Sequence, residues 1–293
     1  MRIAQQNPSA LSKRRILKDD VVDADRKIHV AVELGARMSV NYWQLLIICP
    51  LVFAASLIDA VAGGGGLISL PAYLIAGLPP HNAIATNKLS SSIGTVASTA
   101  RFIKNKCVDW PTAIPSAVLA VLGSIAGAKL ILAIDDNIIR YIMLVLIPIL
   151  AFVILKKRDL SETSLEPVSR KRQFLVICVA ALFVGMYDGF YGPGTGTFLL
   201  IAYTQLAKMP LRLAAGNVKI ANLSSNVGSL AVFLLHGQAI IPIGLISAVF
   251  AVAGHYIGAG VLLKNGGKVV KPFILIVLVL LFIRLIYDLI VAG

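Results

Sequence analysis

Two stretches of this chain place an acid shortly before a run of glycines. Asp59 leads into Gly63, Gly64, Gly65 and Gly66 in "DAVAGGGGLISLP", and Asp188 leads into Gly192, Gly194, Thr195 and Gly196 in "DGFYGPGTGTFLL". Glycine admits positive φ and lets another backbone come close. A glycine-rich turn that opens a helix presents N–H groups and a partial positive charge, which suits an anion. Tight helix crossing is the other use of such glycines; their recurrence in two matched places favours the anion. No Gly-Lys-Ser/Thr follows either run, so neither is a nucleotide phosphate loop.

Further along lie Lys88 in "TNKLSSSIGT" and Lys219 in "GNVKIANLSS", with Asn87, Asn217 and Asn222 beside them. A lysine among small and apolar residues is expensive inside a membrane and marks a functional site by default. Two uses are open: ion pairs with Asp59 and Asp188, or contact with an anionic substrate. The asparagines are read with the lysines as substrate-binding. Ser90, Ser91, Ser224 and Ser225 are read as interhelical packing. Asp59 and Asp188 either accept N–H groups of the glycine turns and hold their shape, or titrate, since burial raises a carboxyl pKa. Among the histidines, His255 is one-sided and reads as a packed residue, and His81 and His236 as interfacial. Cys49, Cys107 and Cys178 stand alone, without metal spacing or a paired framework. No metal site, cofactor motif or catalytic set is expected.

The elements that must position these residues are membrane helices. Of 293 residues, 58% are hydrophobic and 14% charged, against about 45–50% and about 25% in a soluble domain. Apolar runs of the ~20 residues that a span needs recur from Tyr42 onward. The formal charge of +13 is concentrated in residues 1–40 and in 156–172. In so apolar a chain these clusters read as positive-inside signals and lipid contacts rather than a nucleic-acid surface. Residues 1–41 read as a basic cytoplasmic tail, without the apolar core of a cleaved signal peptide.

The chain is also written twice. "FAASLIDAVAGGGG" (53–66) matches "LFVGMYDGFYGPGT" (182–195), and "PHNAIATN" (80–87) matches "PLRLAAGN" (210–217). "LSSSIGT" (89–95) matches "LSSNVGS" (223–229) after about four extra residues, and "AVLGSIAGA" (120–128) matches "AVAGHYIGA" (251–259). Four blocks in one order predict two membrane repeats, 42–155 and 174–293, joined by a basic cytoplasmic linker at 156–173, in a transporter-like fold. The expected fold is all-α and polytopic. It has spans near 42–62, 84–103, 111–133, 138–155, 174–191, 214–235, 241–263 and 272–291, and two re-entrant half-helices at 67–80 and 197–210. The positive-inside rule then puts both termini in the cytoplasm. Ten spans in two inverted sets of five are the alternative.

On these residues the chain resembles the sulfite exporter TauE/SafE family. The resemblance rests on "LIDAVAGGGGLISLPAYLIAGLPPHNAIATNK", "GMYDGFYGPGTGTFLLIA", the two Asn steps and the later Gly-xxx-Gly-Ala, and it covers residues 42–291. It implies a multi-pass transporter of the bacterial inner membrane that carries sulfite or a small organosulfonate, without a cofactor. Pro193 and Thr195 depart from the plain glycine of the first half. Export is the simpler direction, since an inside-negative potential expels an anion with ~2.3 kcal/mol per charge per 100 mV. Expected partners are the anion and membrane lipids, with a second copy of the chain as an optional partner and no nucleic acid. An anion channel is the main rival. An intramembrane aspartyl protease is a remote one, because its glycines precede an aspartate and here they follow.

Overall fold

The structure, a computed structural model, describes residues 41–139, 141–142 and 168–265. The expected tail, the last span and most of the fourth span and linker lie outside these residues. The described chain is helical, with no strand. α1 is Tyr42–Ala62, α2 Gly66–Ile75, α3 Pro80–Lys104 and α4 Trp110–Leu132. α5 is Arg170–Phe190, α6 Thr195–Ile201 with a π-helical continuation Ala202–Leu206, α7 Leu211–Leu235 and α8 Ile241–Asn265.

Five of these helices are long and apolar enough to cross a bilayer: α1, α4, α5, α7 and α8. At 25 residues α3 is as long as α7, about 37 Å at helical rise, but polar residues interrupt it. Asn87, Lys88, Ser90, Ser92, Thr95 and Ser98 of α3 are all buried. Large apolar residues lie outside instead, among them Val96, Ile114, Val118, Leu122, Phe183 and Val249. Polar inside and apolar outside is the arrangement lipid requires, because polar side chains find partners only within the protein.

Packing crosses the chain. Gly123 and Gly127 of α4 sit on the backbone of Leu182 and Met186 in α5, and Gly254 and Gly258 of α8 sit on Phe53 and Leu57 in α1. A Cβ at any of the four would collide with a carbonyl, so glycine here lets two backbones touch. In the sequence alignment Leu182 and Met186 are the matches of Phe53 and Leu57. Thus α1 lies against α8, and α5 against α4.

The short helices double back. The Asn41 side chain caps α1 by accepting the Trp43 N–H at 3.2 Å, and the Asn41 N–H donates to Gln44 Oε1 at 3.4 Å. Gln44 Nε2 then donates to the carbonyl of Ala76, at the end of α2, at 3.0 Å. In the second half Ser169 caps α5, and Gln173 Nε2 donates to the carbonyl of Ala207, beyond α6, at 3.0 Å. Each short piece therefore ends beside the start of the long helix before it. The re-entrant expectation had it re-emerge at that helix's far end.

Two rims follow. Asn82 donates to the Gln238 carbonyl at 2.8 Å and His81 pairs with Asp136 at 2.7 Å, gathering the start of α3, the end of α4 and the α7–α8 turn. At the other rim Asp109 meets Arg170 at 3.2 Å and Arg212 donates to the Leu263 carbonyl at 3.3 Å. α1 begins at the first rim and α5 at the second.

Candidate functional site

The two glycine turns meet between the halves. Gly63 has φ +76°, and a Cβ there would strike the backbone of Gly196 and Thr197. Gly192 has φ +100°, and a Cβ there would lie 3.1 Å from Lys88 Nζ. Both positions combine a left-handed backbone with a close neighbour, a pairing that only glycine meets without strain. Thr197 ties the turns together by donating from its hydroxyl to the Ala62 carbonyl at 3.0 Å.

The acids and lysines pair across the halves. Lys88 Nζ lies 2.7 Å from Asp188 Oδ2 and donates to Asn226 Oδ1 at 2.9 Å. Lys219 Nζ lies 3.0 Å from Asp59 Oδ2 and donates also to the Asp59 carbonyl. The aspartates hold the turns as well: Asp59 Oδ1 accepts the Gly65 N–H at 3.2 Å, and Asp188 Oδ1 accepts the Thr195 hydroxyl at 2.8 Å. Ser225 donates to Asp188 Oδ2 at 2.6 Å, a role beyond the packing expected of it. Of the two uses open for the lysines, ion pairing is the one the structure displays, and two cations balance two anions.

Between the turns lies a cavity. Gly65, Gly66, Gly192, Gly194, Thr195 and Gly196 line it, together with Asp59, Asp188, Lys88, Asn87 and Asn222. Gly63 and Gly64 stand behind this wall, and Lys219 reaches it only through Asp59. Asn217 is elsewhere: its Oδ1 accepts the Asp109 N–H at 2.9 Å and its Nδ2 donates to Thr112 at 2.8 Å, at the start of α4.

Thr95 and Asn226 escaped the sequence reading, and Ser91 and His255, expected only to pack, also line the cavity. Asn87, Ser91 and Thr95 form a stripe four residues apart on α3, and Asn222 and Asn226 form another on α7. Helical spacing of polar residues was the signal that could have found them. Asn87 Oδ1 and Thr95 Oγ1 are buried without a hydrogen-bonding partner. Buried polar atoms are rarely left so, and both belong to residues of one cavity wall. No group of three or more His, Cys, Asp or Glu suited to a metal occurs among the described residues.

This arrangement of reversing half-helices around a central polar cavity is that of a membrane transporter. The chain belongs to the family described as "Sulfite exporter TauE/SafE", whose profile matches residues 48–285. It is similar to the "Probable membrane transporter protein YfcA" of Escherichia coli (strain K12), 34% identical over 234 residues, 80% of this chain and 86% of that one. It is likewise similar to the "Probable membrane transporter protein ORF9" of a Sinorhizobium species, 32% identical over 80% of this chain and 90% of that one. A "Probable membrane transporter protein" of Haemophilus influenzae is 32% identical over 86% of this chain and 98% of that one. No solved structure matches the chain. The protein is a membrane transporter, not an enzyme.

Proposed function

We propose that the chain is a secondary transporter of a small oxyanion, sulfite or an organosulfonate, in the bacterial inner membrane, working in the export direction. One observation carries this reading: the Thr95 hydroxyl, a donor buried without a partner, shares a cavity with the Asn87 amide, Lys88 and both glycine turns. Hydroxyls, amides, turn N–H groups and a lysine are the donors an oxyanion needs. Because each lysine already has an aspartate, the anion shares a lysine rather than owning it, which favours release as well as binding.

The two halves act as inverted repeats around this cavity. Supporting that view are the start of α1 at one rim and of α5 at the other, and the two Gln-to-carbonyl ties. Arg101, Lys104, Lys106, Arg170, Lys171, Arg172, Lys208, Arg212 and Lys264 gather at the second rim. By the positive-inside rule that rim faces the cytoplasm. The start of α1 then lies on the outer side, opposite to the expectation from the tail's charge.

Labelled sulfite flux into proteoliposomes, with voltage and pH difference imposed separately, tests the function. Saturable flux that responds to voltage is expected. Absence of flux for sulfite and for a panel of sulfonates overturns the reading, and single-channel current would replace the transporter by a channel.

A further inference from the structure

The cavity has matched ion pairs but unmatched walls. His255 of α8 is 2% exposed and lines the cavity with Asp59, Lys88 and Asp188. Its match in the first repeat is Ser124, whose hydroxyl donates to the Val121 carbonyl at 3.0 Å. Gly94 makes room for the ring: a Cβ there would stand 2.7 Å from His255 Cδ2. Nδ1 lies 3.3 Å from Ser98 Oγ. The aspartates differ too. The Asp188 side chain is 2% exposed and bonded to Thr195, Ser225 and Lys88, whereas that of Asp59, on His255's side, is 15% exposed.

The titratable groups around His255 come from several elements. α1 brings Asp59 and α3 brings Lys88 and Arg101; Asp188 and Lys219 come from across the cavity. Arg101 is occupied elsewhere, on the carbonyl and ring of Tyr256. Lys88, Lys219, Asp59 and Asp188 cancel, so the cavity is formally neutral with a neutral imidazole. An entering anion leaves an uncompensated charge in a poorly polarisable interior, where it is costly. Imidazole is the side chain whose ordinary titration spans pH 5–8, and one proton on it restores neutrality for a monoanion.

We propose that His255 is a proton site coupled to the anion site, so that each anion is carried together with one proton; this rests on the oxyanion reading above. The proton comes from water on the loading side, sits on the imidazole while the anion is bound, and leaves with it. A monoanion then crosses without net charge, moved by its own gradient and the pH difference, so the voltage-driven export proposed above is left to a dianion. A dianion carries one net charge and still responds to voltage.

The test is titration of the purified full chain in nanodiscs with methanesulfonate, which stays ionised from pH 5.5 to 8. Wild-type affinity is expected to tighten by up to about tenfold per unit fall in pH. His255→Ser, which restores the residue of the matched position, and His255→Gln, which keeps a donor for Ser98, are expected to lose that slope. A flat wild-type profile overturns the proposal. So does a slope that persists in both His255 variants, which would move the proton to Asp59. If neither methanesulfonate nor sulfite binds at any pH, the oxyanion reading falls and takes this one with it.

Discussion

At the scale of residues, the lysines cannot be tested by simple removal. Lys88→Met leaves the Asp188 charge buried and unpaired, a loss of about 3–5 kcal/mol. Lys88→Met with Asp188→Met removes both charges, and well-packed apolar replacements of a buried pair are often neutral. The single variant is expected to melt well below wild type in detergent and the double variant near it, with neither carrying sulfite. Wild-type flux in the double variant would take Lys88 out of the site. The acids, Lys88 and most of the glycines were legible as cavity residues from residue type alone, whereas Gly63, Gly64 and Lys219 do not line it. Nor does Asn217: matching it to Asn87 ignored the extra residues before "LSSN". Those four residues are about one helical turn, and in the register of "LSSS" and "LSSN" it is Lys88, not Asn87, that Asn222 matches. Asn217 is left one turn away, capping α4.

At the scale of elements, the four interface glycines carry the packing. Gly127→Ala and Gly258→Ala each force a methyl into a carbonyl of the facing helix, and overpacking of this kind costs about 1–3 kcal/mol. Both are expected to lower the melting temperature by similar amounts, because each added methyl strikes a carbonyl oxygen of the facing helix. A neutral result at either position would mean that its helix pair parts without resistance. The sequence showed these glycine pairs as close-packing faces, and correctly so. It did not show which helix each would meet, because a small-residue face specifies closeness and not a partner. α3 was expected as a span near 84–103; it has the length of one but is not among the five helices apolar enough to cross. Its polar stripe is sheltered by α7 and α8, a tertiary fact that no window of sequence contains.

At the scale of the whole molecule, orientation is the open comparison between charge and fold. Charge counted along the chain depends on how many times the chain has crossed. The short helices alter that count, since each returns to the rim from which its partner helix began. The returning contacts are made by Gln44 and Gln173, uncharged residues to which charge counting is blind. Single cysteines at Lys106 and Gln238 distinguish the arrangements. A membrane-impermeant maleimide added to intact cells is expected to label the Gln238 position and spare the Lys106 position. The reverse pattern would restore the cytoplasmic start of α1.

The crossed packing of α1 on α8 and of α4 on α5 also sets the order of assembly. As the chain leaves the ribosome, α4 inserts with the Gly123–Gly127 face bare until α5 follows. α1 waits far longer, because its seat at Gly254 and Gly258 is among the last of the described helices to be made. Neither half can close over its own buried aspartate, since each carboxylate is neutralised by a lysine from the other. A ribosome that stops midway therefore leaves a fragment holding an unmet charge in lipid and a naked glycine seam. Quality-control proteases can read both features, and the two halves are bound to a common fate.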